Sequence, residues 1–288
     1  MRIRNLPIIM VALGLVMATT VQAQAPRRQV GGGCGQALME RFELLVPEDL
    51  DGDEVAEIVY LKEEEKLARD VYATLSLEYD VPVFANIARA EQRHMRQVDL
   101  LIVRYGLDDP VVDDTIGVFT DPGLAALYGD LVATGQESLE DALWVGATIE
   151  DLDLADLYEL IDTTDNLDVA LIAQNLAAGS RNHLRAFTGQ LELMGITYDA
   201  QYLDPALVEE IVTSDHERGI VYDEFGDVLA ECGGRYSQGL GSSHHGGSNN
   251  GGGGHGNGNG GGGGGGNGGG DCDGTGPGGS GGCRGGNG

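Results

Sequence analysis

The chain has 288 residues, and 46 acidic against 17 basic side chains leave a formal charge of −29 at neutral pH, with lysine present only as Lys62 and Lys66. A surface of that sign repels nucleic acid and anionic membranes and draws in cations. Nucleic-acid binding is thereby excluded, and metal cations are the favoured partners.

In chain order, Arg2 and Arg4 precede an apolar run from Leu6 to Val21, followed by Val21-Gln22-Ala23 and Ala23-Gln24-Ala25. That pattern predicts a secretory signal peptide over 1–25 and a periplasmic or secreted protein. No later stretch is apolar enough to span a bilayer. In an oxidising compartment Cys34, Cys232, Cys272 and Cys283 can form two disulfides in three connectivities. Cys34 and Cys232 flank the helical region and could clasp its ends, whereas Cys272 and Cys283 could close a loop in the tail.

Residues 26–50 read as a linker with a short amphipathic piece from Leu38 to Leu45. Asp49-Leu50-Asp51-Gly52-Asp53 has the look of a calcium loop, but its glycine is two positions early and no Glu stands at the twelfth position. It reads instead as the start of a helix, where acids are favoured.

The first long helix is predicted from Asp53 to Tyr79, with Leu61, Glu64, Ala68, Val71 and Leu75 on its seam, Glu65 beside it and Tyr72 seven residues further on. Pro82 breaks the chain, and a second helix ends at Gly106. Its stripe of Phe84, Ile87, Glu91, His94, Val98 and Leu101 recurs at three and four residues, so Glu91 and His94 point the same way, into the face that should be buried. An ionised carboxylate buried without a partner is costly, so this segment calls for a metal ion or a counter-charge.

Residues 107–137 form a long connection with a helical piece from Leu124 to Val132, long enough to cross to the other end of a bundle. Ser138 with Asp141 marks the start of the third helix. There Leu139, Leu143, Gly146, Glu150, Asp153, Leu157 and Leu160 share one seam, so two acids interrupt an apolar stripe. Asp165 and Asn166 supply a turn and cap for the fourth helix, 166–194, whose seam includes Leu176, Ser180, His183 and Phe187. Residues 201–232 form a C-terminal extension with one more short helix and an irregular acidic stretch containing His216. From 233 to 288 the glycine- and asparagine-rich chain, with His244, His245 and His255, cannot bury enough apolar surface to fold and is expected to be disordered. The fold class is all-α: four helices over 51–200 with a long crossover between the second and third.

The segments EEEKLARDVY, FANIARAEQRHM, DALWVGATIEDLDLADL and GSRNHLRAF resemble, over roughly residues 55–195, a bacterial and archaeal domain of unknown function in the ferritin-like superfamily. The resemblance implies a ferritin-like four-helix bundle with a di-iron centre. It maps the first-helix ligand onto Glu65 or Glu64. Glu65 is favoured because ferritins place a tyrosine seven residues later, where Tyr72 stands. The second-helix pair falls on Glu91 and His94, the third-helix glutamate on Glu150 and the fourth-helix histidine on His183. The departure is Ser180, where such sites carry a glutamate, and Asp153 is the candidate to replace it.

A carboxylate-rich site with two imidazoles suits iron, with manganese as the alternative. Glu91 and Glu150 are the candidate bridges between two ions, Tyr72 would hydrogen-bond a ligand or donate an electron, and the partners are Fe(II) with O2 or peroxide. A homodimer is compatible with this reading. Two rivals are a metal-binding or storage protein without turnover and an apo structural bundle. In the second, Arg69, Arg93 or Arg185 would neutralise the glutamates.

Overall fold

The computed structural model describes residues 33–232, so the expectations for the signal peptide, the 233–288 tail, its histidines and the Cys272–Cys283 pair lie outside the described residues. Within them the chain is mostly helical, in the order α1 (Cys34–Leu44), α2 (Gly52–Glu78), α3 (Pro82–Tyr105), α4 (Pro122–Gly135), α5 (Leu139–Thr163), α6 (Leu167–Leu193) and α7 (Pro205–Thr213), followed by β1 (Ile220–Tyr222) and β2 (Val228–Glu231). None of these helices is long and apolar enough to cross a membrane.

Local chemistry sets the ends of the long helices. Asp51 accepts hydrogen bonds from the backbone N–H of Asp53 and Glu54, and the Glu54 carboxylate in turn accepts from Asp51 N, a reciprocal cap worth about 1 kcal/mol. The calcium-like stretch is therefore a helix start, as expected. Pro82 occupies the first turn of α3, and Gly106 ends that helix in the left-handed region at φ 65°. Ser138 caps α5 by accepting from Asp141 N. Asn166 stands at the cap position of α6 but leaves that helix uncapped. Its amide donates to the buried Glu54 carboxylate instead, at 3.1 Å, and its carbonyl accepts from Glu48 N.

Helix α2 packs along α3 and α5 along α6, and the two pairs join through α3 on α6 and α2 on α5. Four long helices thus enclose one core that includes Tyr72, Leu75, Phe84, Val98, Leu143, Leu157, Leu176 and Phe187. Arg104 near the end of α3 bonds Asp168 at the start of α6, and Thr164 after α5 bonds Glu54 at the start of α2. The end of α3 and the end of α5 therefore share one end of the molecule, and residues 107–138 run its length between them.

That crossover is held to α2 by acids and a lysine from the EEEKLARD stretch. Glu63 accepts from the N–H groups of Thr120 and Asp121, Asp70 accepts from Gly117 N, and Lys66 donates to Asp70 and to the carbonyl of Thr115. The Lys66 ammonium also lies 4.4 Å from the centre of the Phe119 ring.

Two features differ from expectation. The 26–50 linker is a docked helix from Cys34 onward, because Leu38, Phe42 and Leu45 bury themselves in the core and the Arg104 guanidinium lies 3.7 Å over the Phe42 ring. The irregular stretch near His216 continues into a two-stranded antiparallel hairpin, which the Asn175 side chain of α6 pairs like a further strand, donating to Tyr222 O and accepting from Tyr222 N. A disulfide between Cys34 and Cys232 joins α1 to the end of β2, with Cα atoms 5.3 Å apart. This is the clasp expected for that pair.

Candidate metal centre

Each of the four long helices sends side chains to one buried place midway along the core. Helix α2 contributes Glu65, α3 contributes Glu91 and His94 one turn apart, α5 contributes Glu150 and Asp153, and α6 contributes His183, all buried. Glu91 sits at the middle. Its Oε2 lies 2.7 Å from His94 Nδ1 and its Oε1 lies 2.8 Å from His183 Nδ1. Glu65 Oε2 approaches the same His94 nitrogen at 3.2 Å, and Glu150 Oε2 approaches the same His183 nitrogen at 3.3 Å. The two imidazoles stack with centroids 5.2 Å apart. Glu91, His94 and His183 alone place three donor atoms within 4.8 Å of one another.

Several of these atoms lack a hydrogen bond. Glu65 Oε1, Glu91 Oε1, Asp153 Oδ1 and His183 Nδ1 are buried with no partner of acceptable geometry, although Glu91 Oε1 and His183 Nδ1 are only 2.8 Å apart. Orphaned buried acceptors cost roughly 1–3 kcal/mol each, more when charged. Cations bound in this centre would offer such atoms the partners they lack.

Burial pushes every carboxyl here toward the neutral form, and the neighbours decide how far. Glu91 escapes: the His183 and His94 charges override burial and hold it below the usual carboxylate range. At Glu65 burial outweighs the pull of His94 and raises the carboxyl to about 7. Glu150 is raised by burial and by Glu91, and Asp153 is raised well above its usual value by burial, Glu65 and Glu150. Burial alone would discharge the histidines, but the carboxylates reverse it: Glu65 and Glu91 hold His94 well above its usual value, and Glu91 and Glu150 take His183 to about 10. Without metal, the centre thus keeps protons that an incoming cation would displace.

Close approach of the backbones makes room for these rings. A Cβ on Gly179 would fall 2.2 Å from His94 Nε2, so α6 needs glycine there for the imidazole to lie flat against it. A Cβ on Gly146 would fall 2.5 Å from the Phe187 ring, which packs 5.0 Å from that of Tyr72. Tyr72 donates to Glu150 Oε1 at 2.5 Å and is fully buried. Replacing Gly179 by alanine is expected to displace His94 and weaken Co(II) binding by at least tenfold, with a stability change of only about 1–3 kcal/mol. Comparing equilibrium dialysis with urea denaturation separates the two effects.

Of the two glutamates open at the first position, Glu65 reaches His94, whereas Glu64 turns to α5 beside Asp156 and stays outside this group. Glu150, a candidate bridge with Glu91, contacts His183 and Tyr72, and Glu91 is the carboxylate that faces both imidazoles. Asp153 neighbours Ser180, whose hydroxyl donates to Leu176 O within α6. The arginines of the structural alternative are engaged elsewhere. Arg69 holds Asp70 and Asp114, Arg93 donates to Arg89 O, and Arg185 holds Glu217, Ser214 and Ile211 O. Sequence reasoning missed Gly179 and Asp156. A glycine in mid-helix, about 1 kcal/mol worse than alanine, was the available signal for the first.

Comparison with known proteins gives consistent results. A protein of Methanocaldococcus jannaschii called uncharacterized protein MJ0754 is 45% identical over 183 residues, which is 64% of this chain and 99% of that protein. The crystal structure of hypothetical protein MJ0754 superposes with a TM-score of 0.59 at 46% identity, covering 60% of this chain and 99% of that one. The family described as Uncharacterized protein domain (DUF2202) matches residues 54–215, over half of the chain, and the protein belongs to that family.

Proposed function

We propose that this domain is a ferritin-like four-helix bundle whose centre binds two divalent transition-metal cations, iron with manganese as the alternative, and that the exported protein oxidises Fe(II) with O2 or peroxide. The observation that carries the reading is Glu91: each of its oxygens lies within 2.8 Å of one imidazole Nδ1, while its Oε1 and the facing His183 Nδ1 have no hydrogen bond. A carboxylate between two imidazoles, backed by one further carboxylate on each side, falls one glutamate short of the donor set of a dinuclear carboxylate site, and Asp153 would supply the missing carboxylate. Oxygen and imidazole donors without thiolate suit iron or manganese.

Glu91 would span both cations, with Glu65 and His94 on one and Glu150 and His183 on the other. Asp153 would act on the Ser180 side, directly or through water. When bound, a ferrous pair supplies the two electrons that reduce O2 to peroxide, or peroxide to water. Tyr72 fixes Glu150 through its hydroxyl and would be placed there to pass an electron or a proton. Phe84 and Phe187, packed on one another at 5.7 Å, keep solvent from that side. The negative surface would concentrate the cations.

Ser180 favours one second reading, a metal-holding protein without turnover, since it leaves the α6 side without the carboxylate found in ferritins. Anaerobic loading of the metal-stripped protein with Fe(II), followed by exposure to O2, decides. The expected result is about two Fe(II) held per chain and oxidised in a burst far faster than in buffer. Two ions held but oxidised at the buffer rate leaves the storage reading, and no uptake removes both.

A further inference from the structure

Glu64 has no role in the centre, yet it is 5% exposed and its Oε1 has no partner. Its carboxyl is within hydrogen-bonding reach of Asp156 on α5, and Asp153, whose Oδ1 is also unpartnered, is its next acidic neighbour. No ion pair among the described residues involves Glu64, Asp153 or Asp156. Three acids therefore share a seam with no basic side chain to offset them, which is expensive in a protein interior.

Their order along the helices gives the arrangement a direction. On α2, Glu57 and Glu64 are seven residues apart and share a face, and on α5, Asp153, Asp156 and Glu159 follow at three-residue steps. The helices are antiparallel, as the Thr164 to Glu54 hydrogen bond requires. The acids consequently pair in rungs: Glu57 with Glu159 outermost, Glu64 with Asp156 next, and Asp153 innermost, facing Glu65 and Glu150. Exposure rises outward, from buried Asp153 and Glu64 through half-buried Asp156 and Glu57 to exposed Glu159. Tyr60 and Tyr202, both half-buried, stand beside the middle rung.

We propose that this α2–α5 seam is the path by which divalent cations reach the centre, with Glu64 and Asp156 as a transfer site where an ion pauses before passing to Asp153 and Glu65. The proposal rests on the dinuclear reading above and adds where the ions come in. The donor atoms of the rung are too few for tight retention; only Glu91, His94 and His183 bring three together within 4.8 Å among the described residues. That suits transit, since a conducting site must release what it binds. The orphaned oxygens of Glu64 and Asp153 are then acceptors for a partly hydrated cation, which explains why no arginine or lysine neutralises them.

The test is stopped-flow mixing of the metal-stripped protein with Co(II) without oxygen, following the visible absorption of the bound ion, with final content measured by equilibrium dialysis. Glu64→Gln and Asp156→Asn keep shape and remove charge. Glu159→Lys, at an exposed position, reverses charge at the mouth without risk to the core. Each is expected to reach the wild-type Co(II) content with loading slowed about tenfold, an effect that shrinks in high salt. Glu140→Gln, an exposed acid at the start of α5, is expected to load like wild type. Loading of all three seam variants at the wild-type rate overturns the path and leaves the centre standing. Loss of bound Co(II) in Glu64→Gln or Asp156→Asn also overturns it, by making the acids ligands of the centre. Failure of the wild type to bind Co(II) sinks both.

Discussion

Replacing Glu91 by alanine is expected to abolish metal uptake at both positions, not at one. Its two oxygens face the two imidazoles separately, so its removal strips a ligand from each cation and leaves His94 and His183 without a shared counter-charge. Equilibrium dialysis with Co(II) should fall from about two ions per chain to none, and the thermal stabilisation expected from metal in the wild type, roughly 4 kcal/mol at a thousandfold excess over the dissociation constant, should vanish. Retention of one ion would show that Glu91 is terminal, and the bridging role would be withdrawn.

The conservative substitution Glu91→Gln has a separate signature in the metal-free protein. His183 is raised to about 10 in the fold, so the ion pair stabilises fully below its ordinary value of 6.5 and is lost as pH rises toward 10. Glu91 is held below its ordinary value of 4.5, so its contribution is present above 4.5 and disappears as pH falls. Glu91→Gln should therefore cost most stability between about pH 4.5 and 6.5, roughly 3 kcal/mol, and progressively less on either side. Urea denaturation across that range checks it. A deficit that does not vary with pH would mean that packing, not charge, is what Glu91 provides.

The largest purely structural effect is expected at Asp70. Lys66 and Asp70 are both completely buried, and the lysine depends on this carboxylate for its counter-charge while Asp70 also holds Gly117 N. Asp70→Ala should cost about 3–5 kcal/mol because it strands a buried ammonium. It should also loosen the crossover from α2, read as faster amide exchange at residues 115–121. A double replacement, Lys66→Met with Asp70→Leu, should recover much of the loss in urea, since the buried ammonium goes with its counter-charge and Arg69 keeps Asp114 and Gln92, although Gly117 N loses its acceptor. Equal instability of the single and double variants would place the cost in the loop anchor instead.

How much of this was legible beforehand depends on range. The long helices were readable because their apolar stripes run for many turns and their ends carry local chemistry at Asp51, Pro82, Gly106 and Ser138. Glu91 and His94 were readable because an acid and an imidazole one turn apart interrupt such a stripe. Glu64 and Glu65 could not be separated, since adjacent positions lie 100° apart on a helix and either could face a seam whose partner helix is unknown. Lys66 and Asp70 were hidden because a charged pair four residues apart looks the same on a wet surface as in a core. The hairpin was hidden because three- and four-residue strands leave no periodic signal, and what completes it is an asparagine 47 positions before Tyr222. Helix α1 was legible only as an amphipathic piece from Leu38 to Leu45, because it is short.

The Cys34–Cys232 bond gives the domain a mechanical property. Force pulling apart the segments that precede residue 34 and follow residue 232 would travel through one covalent bridge and bypass the chain between two cysteines 198 positions apart. While oxidised, the helices would carry no tension. Only a reductant would put them in series with the load.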